Sequence, residues 1–142
     1  MKVGWSIIVF ASVVATGIAS VSQNAPSRSR VAIAQGLPPL DGQHLEATVV
    51  EVTYEPGGAN TAHRHPCPVI GYVLEGSLRM QVQGQPERVY PAGESFYEAP
   101  TDVHLVSANA SPDKPARFLA YFICDRRTPL SVPMTGTRGG GD

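Results

Sequence analysis

GGANTAHRHPCPVIGYVLEGSLRMQVQ, residues 57–83, is the stretch whose reading decides the fold. Its last part, Ser77–Gln83, alternates strictly: Leu78, Met80 and Val82 fall on one face, Arg79, Gln81 and Gln83 on the other. A period of two marks a half-buried β-strand, because successive side chains of an extended chain point to opposite faces. Just before it, Val69–Leu74 is continuously apolar, and Glu75-Gly76 supplies a turn between the two runs. Upstream, Leu45–Tyr54 (LEATVVEVTY) is rich in β-branched residues. Downstream, Gly84-Gln85-Pro86 turns the chain, Arg88-Val89-Tyr90 begins another run, and Ser95–Ala99, His104–Ala108 and Arg117–Ile123 complete the set. Turns recurring about every ten residues predict a β-sandwich or barrel. No segment beyond the N-terminal leader shows helical periodicity, and 14 Gly with 13 Pro in 142 residues agree with many short strands.

A chain of this length holds one core. Its formal net charge of -1 supplies no basic face for nucleic acid or an anionic membrane. Residues 1–22 read as an export signal: Lys2 is followed by an uncharged run from Val3 to Ala19, then small residues. The competing reading is an uncleaved anchor, since the run is near the roughly 17-residue minimum for spanning a bilayer. Either places the globular part outside the cytoplasm, periplasmic or extracellular, with no membrane partner beyond that anchor. Residues 23–40 have a linker's composition, 41–125 form the domain, and 126–142 are expected as a flexible tail, rich in Pro and Gly. Asn109-Ala110-Ser111 matches the glycosylation triplet, a short and unspecific motif.

The chain has two cysteines, Cys67 and Cys124. A disulfide between them would close roughly 57 residues and contribute about 4 kcal/mol. The alternatives are two separate small buried hydrophobes, or Cys67 as a metal ligand.

Of the four histidines, His44 carries no further signal, whereas His63 and His65 form His-x-His. On an extended chain positions i and i+2 share a face, so both imidazoles can reach one ion from one strand, an exposed polar pair being the alternative, as a structural histidine is for His104 taken alone. His104 follows Pro100-Thr101-Asp102 and opens an apolar strand. Taken together these residues carry a family resemblance. Gly57–Gly76 resembles the first motif of the cupin superfamily, a Gly, five residues, His-x-His, then a Glu and a Gly. Gly93–Asn109 (GESFYEAPTDVHLVSAN) resembles the second, in which a Pro-containing turn leads to a third ligand His and then an Asn. The resemblance covers roughly residues 45 to 123. It implies an all-β double-stranded β-helix, or jelly-roll barrel, of the small single-domain cupin type. It also implies one divalent metal ion (Fe, Zn, Ni, Mn or Cu) held by His63, His65 and His104. Pairing into a homodimer through sheet edges is a further implication.

The sequence departs from the family pattern at one place. A Glu usually sits four residues after the second His as a fourth ligand, and here that position is Val69. Glu98, Cys67 or water are the candidates for the vacant ligand position. Three neutral imidazoles leave the ion's charge in place and positions open for water, O2 or an anionic substrate. The resemblance therefore implies a metal-dependent dioxygenase acting on a small organic substrate. The alternatives are a non-enzymatic cupin that binds or senses a small molecule, and a degenerate domain with structural histidines. No general base and no other catalytic residue is identifiable beside the three histidines. Tyr72, Tyr97, Glu98 and Asp102 are candidates for supporting the ligands. If Val69 faces inward, Gly71 and Val73 do too. Gly71 would then either leave space for a ligand beside the metal or relieve crowding in a narrow barrel.

Overall fold

A computed structural model describes residues 29–40 and 42–134; the leader, the start of the 23–40 segment and the end of the tail lie outside the described residues. Nine strands follow in order: β1 (Leu45–Tyr54), β2 (His63–Arg64), β3 (Val69–Glu75), β4 (Ser77–Val82), β5 (Arg88–Pro91), β6 (Ser95–Glu98), β7 (Val103–Asn109), β8 (Ala116–Asp125) and β9 (Val132–Pro133). They form two antiparallel sheets, β1-β8-β3-β6 and β5-β4-β7-β2-β9, with no helix among the described residues. This is the expected all-β jelly roll.

The alternation read from the sequence places the core. Val69 and Val73 of β3 are at most 1% exposed, and Leu78 of β4 is equally buried. They join Met80, Phe96, Phe118 and Phe122 in one apolar cluster drawn from both sheets. Each such side chain contributes about 1.5–3 kcal/mol on leaving water. Gly71 is explained by its cross-strand neighbour. It pairs directly with Phe96, and a Cβ at position 71 would lie 2.0 Å from the Phe96 ring. The space next to Gly71 is therefore filled by Phe96, and relief of crowding is the reading that holds. Gly76, between β3 and β4, has a φ of +70°, and a Cβ there would sit 2.6 Å from the Pro115 carbonyl oxygen.

Cys67 and Cys124 form a disulfide with a Cα–Cα distance of 5.3 Å. This overturns Cys67 as a metal ligand and the reading of two unrelated thiols. Pro66 and Pro68 bracket Cys67 and hide its direction from strand alternation. The cross-link ties the loop after His65 to the end of β8.

Both chain ends of the described region return to the barrel. Arg30 donates to the Gly93 carbonyl and the Tyr72 hydroxyl, anchoring a segment otherwise read as linker. Residues 126–134, expected as the start of a flexible tail, instead pass back across the barrel. There β9 pairs with β2, and the Met134 N–H donates to the Ala62 carbonyl.

Candidate metal centre

Each of the three histidines is delivered by a different local device. His63 lies in β2 and is directly opposite His104 in β7, so the two rings share a face. Their centroids are 5.4 Å apart and stacked, while His65, just beyond β2, is 4.9 Å from His63 and 5.3 Å from His104. All three rings are buried, His104 to 1% exposure. The structure thus brings together the whole trio read from the sequence, and leaves His44 apart, its carbonyl accepting from the Arg126 N–H.

Glu98 completes the cluster from the other sheet. In the β3–β6 ladder it stands directly opposite Val69. Directly opposed residues of an antiparallel pair present their side chains on the same face. The carboxylate missing at position 69 is therefore supplied one strand over, into the same region of the barrel. Its oxygens lie 3.3 Å from His65 Nε2 and 3.4 Å from His104 Nδ1. One ligand atom each from His65, Glu98 and His104 falls within 4.8 Å of the others, a spacing that admits a single ion, whereas His63 joins them by ring contact and is outside that group of ligand atoms.

The ring orientations fit a metal. Nδ1 of His63 bonds the Thr61 carbonyl oxygen at 2.8 Å, and Nδ1 of His65 bonds that of Leu130. A carbonyl only accepts, so both rings carry their proton on Nδ1 and offer a free lone pair at Nε2. A metal-bound imidazole is held in this way, its second nitrogen donating to a fixed oxygen. Both ring nitrogens of His104 are buried without a hydrogen-bond partner, which is costly unless an ion takes one of them.

Electrostatics point the same way. Burial, reinforced by His65 and His63, pushes the His104 imidazole down to about 4. Burial, with the negative charge of Asp102 behind it, pushes the Glu98 carboxyl up to about 8. Burial also lowers His65, against the opposing effect of the Leu130 carbonyl. Burial thus works against the ionised form on both sides of the close His–Glu98 approaches. A divalent cation at their centre would ionise Glu98 and use the imidazole lone pairs, satisfying all of them at once.

The other candidates fall outside this centre. The Tyr72 hydroxyl accepts from Arg30 at the opposite face of β3. Tyr97 precedes Glu98 in β6 and points to the other side of that strand. Asp102 sits in the turn ahead of β7, where its N–H donates to the Ala99 carbonyl, and acts on Glu98 only by its charge. In the same turn the Thr101 N–H donates to the His65 carbonyl at 2.7 Å, coupling the loop that delivers His104 to His65. Asn109 is buried, and its side-chain amide donates to the carbonyls of Tyr54, Glu55 and Lys114. That structural role leaves the amide closed to glycosylation.

Beside the histidines lies a cavity of about 220 Å³, walled by Val50, Val52, Phe96, Phe118, Ala120 and Phe122. Its polar groups are His63, His65, Glu98, Asn60, Ser131 and the Tyr54–Ser107 hydroxyl pair, 2.9 Å apart. Sequence reading missed Tyr54, Asn60 and Ser107 as site residues, because they come from three separate strands and loops and converge only in space.

Comparison with known proteins follows this geometry. The family model described as "Cupin domain" matches residues 50–122, just over half of the chain. A cupin-like protein from Thermotoga maritima is 24% identical with a TM-score of 0.55, over 66% of this chain and 68% of that one. An oxalate oxidase in complex with the substrate analogue glycolate is 28% identical, TM-score 0.53, over 61% of this chain and 45% of its own. The oxalate decarboxylase of Bacillus subtilis, a protein with Mn(II) centres, is 28% identical, TM-score 0.53, over 62% of this chain and 24% of its own. The chain therefore spans less than half the length of these two enzymes. No curated protein matches.

Proposed function

Because the chain belongs to the cupin domain family, we propose that it is a metal-dependent cupin oxygenase. It would hold one divalent ion with His63, His65, His104 and Glu98 and act on a small organic molecule. The observation that carries this reading is the convergence of the buried His65, His104 and Glu98 on one point, with the His63 ring packed against both imidazoles and the His65 ring fixed by the Leu130 carbonyl. When bound, a redox-active divalent ion supplies a site at which an organic anion and O2 meet. The residues of the chain do the rest. The Thr61 and Leu130 carbonyls orient the ligand rings, Phe96, Phe118 and Phe122 keep bulk water from the site, and Tyr54 and Ser107 offer hydroxyls to the substrate.

Oxalate, the substrate of the oxidase named above, is a poor candidate here. No Lys or Arg is among the described residues lining the cavity, so a second carboxylate would be buried without a cation. Arg88 lies in a second cleft of about 40 Å³, which Glu98 and His104 also line, with its guanidinium 5.1 Å from the centre of the Tyr90 ring.

The test is the metal content of the full chain, purified without a His tag, beside His63→Ala and His104→Ala. One equivalent of divalent metal, lost in both variants, is expected; a well-folded protein that takes up none overturns the reading. Oxygen consumption by the iron-loaded protein with candidate substrates then separates an oxygenase from a cupin that only binds its ligand.

Export and homodimerisation belong to the same proposal. The disulfide is at home in an oxidising compartment; a mature chain found only in the cytosol would overturn export. Val49 and Tyr121, opposite one another across β1 and β8 and both exposed, offer an apolar patch next to an edge strand. Light scattering showing a monomer at all concentrations would remove the dimer.

A further inference from the structure

We infer that the ligand taken by this site carries a single negatively charged oxygen on an apolar body about the size of one ring. This rests on the metal reading above and deepens it. The argument begins with charge. Three neutral imidazoles and one carboxylate around a divalent ion leave one unit of positive charge, which a monoanion neutralises and a dianion exceeds. Within the 220 Å³ cavity itself the described lining beyond the histidines and Glu98 is apolar or uncharged, and Arg88 lines only the smaller cleft on the other side of Glu98 and His104.

Size gives the second constraint. The cavity, about 220 Å³, exceeds the roughly 150 Å³ apolar cavity that accepts benzene in an engineered protein. A single six-membered ring with one short substituent fits beside the anionic group. The aromatic side chains of Phe96, Phe118 and Phe122 present faces and edges to such a ring.

The third constraint is the polar corner. Tyr54 and Ser107 hydroxyls are buried together, and Asn60 lines the same cavity. Burial raises the Tyr54 hydroxyl above its ordinary range, so it stays a neutral donor and acceptor. This corner accommodates a neutral hydroxyl or carbonyl on the ligand, again in preference to a second charge.

The zinc-loaded full chain, titrated calorimetrically with benzoate, malonate and benzyl alcohol, tests this. Benzoate, a monoanion on one ring, should bind at least about tenfold more tightly than malonate, a dianion without a ring, or benzyl alcohol, a ring without charge. Val52→Arg, which places a cation in the half-buried wall, should shift the preference toward malonate while the metal content stays at one equivalent. A loaded protein that prefers malonate, or binds benzyl alcohol as well as benzoate, overturns this inference and leaves the metal reading intact. A chain that takes up no zinc overturns both. Unchanged selectivity in a folded, loaded Val52→Arg protein overturns the assignment of this cavity as the ligand's seat.

Discussion

The two halves of the candidate centre are held by different means. His104 and Glu98 come from longer ladders: β7 pairs with β4, through a register shift beside His104, and with β2, while β6 pairs with β3 along its length. His63 and His65 come from a strand of two residues and the turn that follows it. Two residues of ladder cannot fix a side chain against thermal motion, and the chain compensates with ties from outside. The Thr61 and Leu130 carbonyls hold the rings, the Thr101 N–H holds the His65 backbone, and the Cys67–Cys124 disulfide pins the next loop. Where the backbone ladder is short, orientation has been transferred to tertiary cross-links.

The sharpest way to break the cross-linked half is to remove the disulfide. Cys67→Ser with Cys124→Ser should cost about 4 kcal/mol of stability from the closed 57-residue loop. Denaturant unfolding with and without reductant measures it, and a loss below about 1 kcal/mol would show that the β-ladders alone fix this loop.

The ladder half is tested by moving its carboxylate. Glu98→Val should weaken metal binding by more than about 100-fold, beyond what loss of an outer-shell partner costs. Because positions 69 and 98 are opposed on one face, Val69→Glu combined with Glu98→Val should recover most of that affinity. Competition against a chromophoric chelator reads both. A double variant no better than Glu98→Val would show that the two positions are not interchangeable.

The smallest of these effects belongs to the strap that follows β8. Ending the chain at residue 128 removes the Leu130 carbonyl and β9, and should lower metal affinity about 10–100-fold, as loss of an outer-shell partner does. Unchanged affinity with unchanged stability would assign the strap no part in orienting His65.

These contrasts also explain what was legible in the sequence. Strict alternation carried Ser77–Val82, and β-branched composition carried Leu45–Tyr54 to its observed bounds. His63, His65 and His104 were legible through the family resemblance that they carry together, since the two-residue offset and the turn before His104 are each unspecific alone. The bond between Leu130 and His65 was not, since 65 residues separate them. Glu98 was visible only as a candidate, because what qualifies it is its place across the ladder from Val69, a relation that sequence spacing does not encode. The role of Gly71 likewise needed Phe96 opposite it. β9 is too short to show a period, and its Pro133 argues against a strand until an edge partner is seen.

The Leu130–His65 contact has a consequence for biogenesis. During synthesis the His-x-His segment emerges long before the carbonyl that orients its second ring. A nascent chain short of residue 130 can present ligands, but not the finished geometry. On the metal reading, an ion that bound before residue 130 is in place would meet a looser set of donors than the folded molecule offers.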